Sequence, residues 1–327
     1  MKLRPLDPRR ARTRKLATLS RLVRRDSFAS EVAAGASFGD FLAALPDTLA
    51  AAQLRELARA IAAAHRARRT VLLMSGAHPI KLGLGPIICG LVRDGIISAI
   101  ATNGAAIIHD FELAYAGRTS EDVGAGLQDG SFGMAEETGA FLNRAAKLAA
   151  SEKRGLGEIV GREILEAKLK FREQSVFANA YKLGAPATVH VTLGADIIHM
   201  HPEADGGAIG AASITDFHRL AAVVAELSRG VVINLGSAVV MPEVFLKALN
   251  LARNLAQNSG RKVANFTAAD MDFIRHYRPR NNVVERPTEA GGRRIILTGH
   301  HELMFPLLAA AVREELARSN PKPRSSG

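Results

Sequence analysis

Tryptophan is absent from this chain, aromatic residues make up only 5% of it, and there is a single cysteine, Cys89. So few aromatic faces leave little with which to stack the bases of single-stranded nucleic acid. One cysteine excludes both a disulfide framework and a cysteine-based zinc site. Within the apolar run PIICGLV, Cys89 reads as a small buried hydrophobe. No apolar run reaches the roughly 18 residues that a membrane-spanning helix needs. The basic N-terminus is not followed by the apolar segment of a secretory signal, so a cytoplasmic protein is expected. A GxSxG elbow is missing as well, which leaves a serine-triad hydrolase without support.

What is present suits a globular chain. At 47% hydrophobic and 23% charged, 327 residues can build one large α/β domain or two smaller ones. The net charge of +11 is unevenly spread. Residues 1–26 hold ten lysines and arginines against Asp7 and Asp26, a net +8 that leaves only +3 for the rest. Residues 1–28 therefore read as a basic arm, able to wrap a neighbouring subunit or, less favoured, to meet nucleic acid. Residues 29–317 read as a single α/β domain. The ending 318–327, RSNPKPRSSG, is low in complexity and expected to be disordered.

Short apolar runs near 70–74, 97–102, 187–192, 231–235, 263–267 and 294–298 read as strands. Helical patterns such as GPIICGLVRDG, AEETGAFLNRAAKLAASEK, SITDFHRLAAVVAEL and MPEVFLKALNLARNLAQNS lie between them. Upstream, FGDFLAALPDTLAAAQLRELARAIAAAHRARR reads as helix, turn and helix, broken at Pro46. The interval 103–186 is long and includes a helical insertion. Alternating strands and helices predict an α/β fold with a doubly wound, mostly parallel, Rossmann-like sheet.

Six of the ten histidines fall just beyond these runs: His78, His109, His199, His201, His300 and His301. Ligands of open α/β sheets bind outside the carboxyl ends of the strands, so one rim gathers the candidate chemistry. The loop SGAHPIKLGLGP offers glycine amides and Lys81 to an anion, although it is neither of the usual nucleotide fingerprints. The next loop, TNGAAIIHDFE, sets Asn103, Gly104, His109 and Asp110 together, an imidazole beside a carboxylate. In GADIIHMHPEADGG, His199 and His201 would share a face of an extended segment, with Asp196, Glu203 and Asp205 near enough for a metal site. LGSAVVMPE supplies Gly236, Ser237 and Ala238; TGHHE supplies His300, His301 and Glu302.

In their order, ATNGAAIIHD, INLGSAVV, FTAAD and HHELMFPLL resemble the deoxyhypusine synthase family over residues 70–312. The resemblance implies a Rossmann-like sheet, bound NAD and a homotetramer with sites at subunit interfaces. Its NAD-contacting places fall on Asn103, Gly104, Ala105, His109, Asp196, Gly236, Ser237, Ala238, Thr267, Ala268, His300 and His301. The departures are chemical. Where that family carries its catalytic lysine, this chain reads RHYRPRNNVVERPTEAGGRR, with no lysine. Pro242 stands at the family's catalytic histidine, and His201 at an aspartate that holds the polyamine. A lysine imine cannot form without a lysine, so deoxyhypusine synthesis itself is not expected. Six arginines against two glutamates over 275–294 would repel a polyamine and attract an anion.

The expectation is thus a deoxyhypusine synthase-like enzyme, a transferase or oxidoreductase using NAD on a small anionic substrate. His109 or His201 would move the proton, Asp110 and Glu302 would orient imidazoles, and Lys81, Arg278 and Arg280 would hold the anion. One rival is a metal-dependent enzyme built on His199 and His201. The other is a non-catalytic nucleotide-binding or nucleic-acid-associated protein acting through the arm.

Overall fold

The computed structural model describes residues 3–318, and the tail expected to be disordered lies, apart from Arg318, outside them. The chain divides into two units, Met1–Ala52 and Gln53–Gly327. In the first, the basic stretch forms only short turns, Pro8–Arg10, Leu16–Thr18 and Arg25–Ser27, with mostly exposed side chains. The helix Phe38–Ala44 starts at Ser37, whose hydroxyl and amide trade hydrogen bonds with Asp40 in a capping box. Backbone bonds Ser30 N–Ala44 O and Asp47 N–Ser27 O, each 3.0 Å, fold this unit back on itself.

The second unit is built on six strands: β1 (Val71–Ser75), β2 (Ala99–Asn103), β3 (Ala187–His190), β4 (Val231–Leu235), β5 (Phe266–Asp272) and β6 (Gly292–Thr298). Every pairing is parallel and the order is β3-β2-β1-β4-β5-β6, the doubly wound arrangement expected from the alternation of strands and helices. Being covered on both faces, β1 and β4 are buried at every position, which is why VLLMS and VVINL are continuous apolar runs. β6 closes one edge, and its exposed Arg293 and Arg294 discourage pairing with another chain. On one face Leu72, Met74, Val232 and Phe266 pack with Phe245 of the helix Val240–Gln257 and Leu220 of Gly206–Ala225. Phe245 and Phe266 meet edge to face at 6.4 Å.

Gly206–Ala225 is long and apolar enough to cross a membrane by length and composition. Ile209, Leu220 and Val224 are among its buried residues. Its buried Asp216 accepts hydrogen bonds from Gly157 N (3.0 Å) and Val189 N (2.9 Å), tying a helix start to β3. Between β2 and β3 the chain is helical, as expected, with Gly104–Ala116, Glu136–Glu152 and Leu156–Glu166 the longest pieces.

One strand is displaced from its expected place. β5 begins three residues later than the apolar pattern suggested and runs on through Asp270 and Asp272. Both aspartates are buried, at 3% and 5% exposure, so alternating acidic residues disguised the carboxyl half of a core strand as a loop.

Candidate functional site

The strand order reverses between β1 and β4, and the turns leaving those strands touch. A Cβ on Gly76 would lie 2.7 Å from Gly236 O, so backbone meets backbone there. Gly236 itself sits at φ 66°, and a Cβ on it would lie 2.5 Å from Cε1 of His301. His301 is 1% exposed, and neither ring nitrogen has a hydrogen-bond partner among the described residues. Its Nε2 lies 3.5 Å from Asp272 Oδ1, close enough for attraction but long for a hydrogen bond. Burial would raise the Asp272 carboxyl, yet His301 and the Phe273 amide outweigh it and hold the group below its usual value. Asp270, desolvated although Asn234 Nδ2 donates to it at 2.8 Å, is pushed up to about 6. Phe273 packs edge-on to His301 at 5.6 Å and stacks on His300 at 6.5 Å, while His78 approaches His301 at 5.5 Å.

Further along the rim, beyond β2, lies a cavity of about 170 Å³. Lys81, Ala105, His109, Glu112, Glu121 and Asp196 are among the residues that line it. Asn103 ends β2 and Gly104 opens the helix that carries His109, so strand and helix together aim this imidazole at the rim. The His109 Nδ1 lies 2.6 Å from Thr119 Oγ1, and Thr119 in turn donates its hydroxyl proton to Glu112 Oε2 at 2.5 Å. A threonine has one proton to give. Since that proton goes to the carboxylate, His109 donates from Nδ1 and keeps its lone pair on Nε2. Thr138 donates to the other Glu112 oxygen at 3.2 Å and fixes the far end of the relay. Burial first, and the Lys81 charge second, lower His109 to about 4, so it is neutral at pH 7.

Asp196 lines the same cavity as this imidazole. A Cβ on Gly104 would fall 2.0 Å from its Oδ2, so only glycine lets the carboxylate settle on the helix start. Burial nonetheless raises Asp196 to about 6. Lys81 has no ion-pair partner among the described residues. Around the same rim, Asn103 Oδ1 and His199 Nε2 are buried and have no hydrogen-bond partner among the described residues. His199 Nδ1 accepts from the Gly194 and Asp196 amides (3.1 and 3.2 Å), which leaves a proton on that unsatisfied Nε2.

The structure brings Lys81, Ala105, His109 and Asp196 together and sends other expected residues elsewhere. Asp110 points away from His109: it is 1% exposed and accepts from Ser175 Oγ (2.5 Å), Val176 N (2.7 Å) and Phe177 N (3.4 Å). It caps the helix Val176–Lys182 and orients no imidazole. Thr267 and Ala268 lie in the amino-terminal half of β5, opposite Val231 and Val232, far from its carboxyl end. The residues of β5 that reach the rim are Asp270 and Asp272. His201 lies against Gly139, where a Cβ would come within 2.0 Å of its Cδ2, and is not among the residues lining the cavity. Glu302 is exposed, 3.9 Å from His300. Ser237 accepts from Met241 N at 3.2 Å, beside half-buried Ala238. Arg278 pairs with Glu243 at 3.3 Å and Arg280 with Glu285 at 2.7 Å, so neither joins Lys81. The cavity carries one lysine and three carboxylates, the reverse of the expected anion site.

The metal reading required His199 and His201 on one extended face. Instead Ile197–Met200 is a 3₁₀ turn, and no group of three His, Cys, Asp or Glu side chains among the described residues is arranged to hold a metal ion. Sequence reasoning missed Glu112 and Thr119. The signal was H-x-x-E, His109 and Glu112 three apart on one helix face, behind the more conspicuous adjacent pair His109–Asp110.

No protein-family description and no curated protein matches the chain. Solved structures do. A protein described as LOR/SDH from Methanococcus maripaludis S2 is 14% identical, with 84% of this chain and 71% of that one covered and a TM-score of 0.52. AgrE, in a complex with ornithine and NAD+, is 11% identical over 82% of this chain, with a TM-score of 0.51. The chain spans about a third of AgrE's length, 34%. A protein from Entamoeba histolytica described as a deoxyhypusine synthase is 13% identical, covering 85% of this chain and 93% of its own, but its TM-score of 0.47 carries no argument. At such identities the likeness establishes a shared α/β fold and nothing of activity.

Proposed function

We propose that this protein is an NAD-dependent enzyme acting on a small amino compound, with His109 as its acid/base residue. One observation carries the reading: the His109–Thr119–Glu112 relay opens on a cavity that also presents Lys81 and Asp196. A carboxylate would pair with Lys81 and an ammonium with Asp196, so the cavity suits an amino acid carrying a second amine better than a plain anion. AgrE, which shares the fold, has been captured with ornithine and NAD+. A homotetramer, which the resemblance implied, and a cytoplasmic location belong to the same proposal.

The rim fits the cofactor. The glycine turns at Gly76 and Gly236 bring backbone to the point where the strand order reverses. Asn103 Oδ1 and His199 Nε2 are polar atoms short of partners, an acceptor and a donor for ribose or amide groups. When bound, NAD supplies a hydride acceptor. The chain does the rest: Lys81 and Asp196 orient the substrate, and His109 Nε2 takes the proton leaving the nitrogen whose neighbouring carbon–hydrogen bond gives up its electron pair as hydride. With no lysine at the family's catalytic place, deoxyhypusine synthesis stays outside this proposal.

Calorimetric titration with NAD, followed by mass-spectrometric analysis of ornithine and related diamino acids incubated with NAD and enzyme, tests the reading. Saturable NAD binding and a converted diamino acid support it. Absence of NAD binding by the purified protein, freed of endogenous nucleotide, overturns the cofactor; conversion that survives His109→Gln overturns the assignment of the base.

A further inference from the structure

Opposite the rim, at the amino ends of β1 and β2, lies a larger cavity of about 770 Å³. It is lined by His65, Arg66, Arg68, Arg69, Thr70 and Ser98, with Gly95 and Leu316, and by no carboxylate. Arg66 is engaged, donating to Glu315 O at 3.3 Å. The guanidinium groups of Arg68 and Arg69 have no ion-pair or hydrogen-bond partner among the described residues. Both arginines are exposed, so water screens them from each other, and an anion bound between them would gain from both charges.

The backbone shows how they come to face one cavity. The helix Leu49–Arg66 ends with Arg69 N bonded to Ala64 O (2.8 Å) and Arg68 N to His65 O (3.0 Å). Such an ending places its reversing residue in the left-handed region, where glycine is usual. Here Arg68 occupies it, at φ 50°. A position that glycine would fill without strain is held by a long cation that turns into the cavity wall. The arginines also complement the negative end of that helix, but one cation in the last turn would do so.

Arg69 lines a second cavity as well, of about 590 Å³. Its walls are largely apolar, from Ala221, Ala225, Leu251, Leu255 and Val263, with Lys262 and the Arg261–Glu226 pair at its margin. One arginine is thus shared by a basic chamber and an apolar one.

We infer that this face binds a phosphorylated small molecule, its phosphates against Arg68 and Arg69 and its less polar body in the adjoining apolar chamber. Arginine forks suit phosphate oxygens, and the chamber sizes suit a nucleotide-sized ligand. The position is at the opposite end of the strands from His109, so such a ligand would regulate the enzyme and take no part in its chemistry.

The test is titration of the full chain with ATP and, separately, with inorganic tripolyphosphate at moderate salt. Saturable binding of both, with ATP the tighter, is the expected result. Arg68→Gly, which suits the left-handed backbone, and Arg69→Gln should each weaken both ligands about tenfold or more while leaving NAD binding unchanged. If neither probe binds, or if both variants bind like the parent, the proposal fails. Tripolyphosphate binding as tight as ATP would overturn the role given to the apolar chamber. Equal weakening of ATP and NAD by the Arg68 and Arg69 substitutions would mean a loss of fold or of shared binding, which also overturns it.

Discussion

His109 and His301 stand on the same rim of the same sheet, yet the fold prepares them for opposite ends. His109 is partly exposed, at 16%, and its tautomer is set by a hydroxyl that is itself committed to a carboxylate. His301 is sealed at 1% exposure under the Gly236 turn, with Asp272 alongside and no hydrogen bond to either nitrogen among the described residues. The first lines a cavity with its Nδ1 engaged by Thr119; the second is packed against the Gly236 turn. Position beyond a strand end therefore does not make a histidine catalytic. What decides is where its second nitrogen points and who has claimed the first.

The largest expected effect separates the two residues directly. His109→Gln should lower turnover about a hundredfold to ten-thousandfold, the usual range for a positioned acid/base group, with little change in Tm. Steady-state kinetics beside thermal unfolding would show it, and a loss shared by kcat and Tm would move His109 to the structural side. Gly236→Ala should do the converse. Its added Cβ meets the His301 ring and its φ disfavours any side chain, so a destabilisation of about 2–4 kcal/mol is expected in denaturant titration. Adding His301→Ala should recover part of that loss if the clash is its source.

Ligand binding comes next. NAD at about 100 times its Kd should stabilise the fold by roughly 2.7 kcal/mol, read as a higher Tm. Gly104→Ala should shrink that rise, because its added Cβ crowds the helix start that follows Asn103, one of the groups offered to the cofactor.

The smallest effects lie in pH dependence. His109 falls from an ordinary 6.5 to about 4 in the fold, so its contribution to stability is complete above 6.5 and is lost as pH drops towards 4. Asp196 rises from 3.8 to about 6, so its neutral form is favoured in the fold; that contribution is complete below 3.8 and lost as pH climbs towards 6. Substrate binding needs the opposite state of Asp196, the carboxylate. The acid limb of kcat/KM should therefore fall near pH 6 and disappear in Asp196→Asn, while a limb unmoved by that substitution would remove Asp196 from the site. Thr119→Val, which frees the His109 tautomer, should lower kcat more than it raises KM.

Much of the architecture was legible because it rests on local chemistry. Continuous apolar runs such as VLLMS and VVINL need burial on both faces, and alternation with helical patterns leaves a parallel doubly wound sheet as the economical solution. The sequence by itself determined that sheet, the helical span between β2 and β3, and the presence of Lys81, Asn103, His109 and Asp196 at strand ends. It did not determine which of them meet. Asp110 follows His109 in the chain, but consecutive helical residues point about 100° apart, so one faces the cavity and the other the Val176 helix. Arg278 and Arg280 looked like an anion clamp because their partners, Glu243 and Glu285, matter only once the segment Pro279–Glu285 winds against its neighbours. Even the acidic lining of the cavity depends on Asp196, far along the chain, reaching His109, while Glu121 returns from the loop just after the His109 helix. Periodicity fixes elements because it acts between near neighbours; a site is made by residues far apart in sequence, and only tertiary packing brings them to one place.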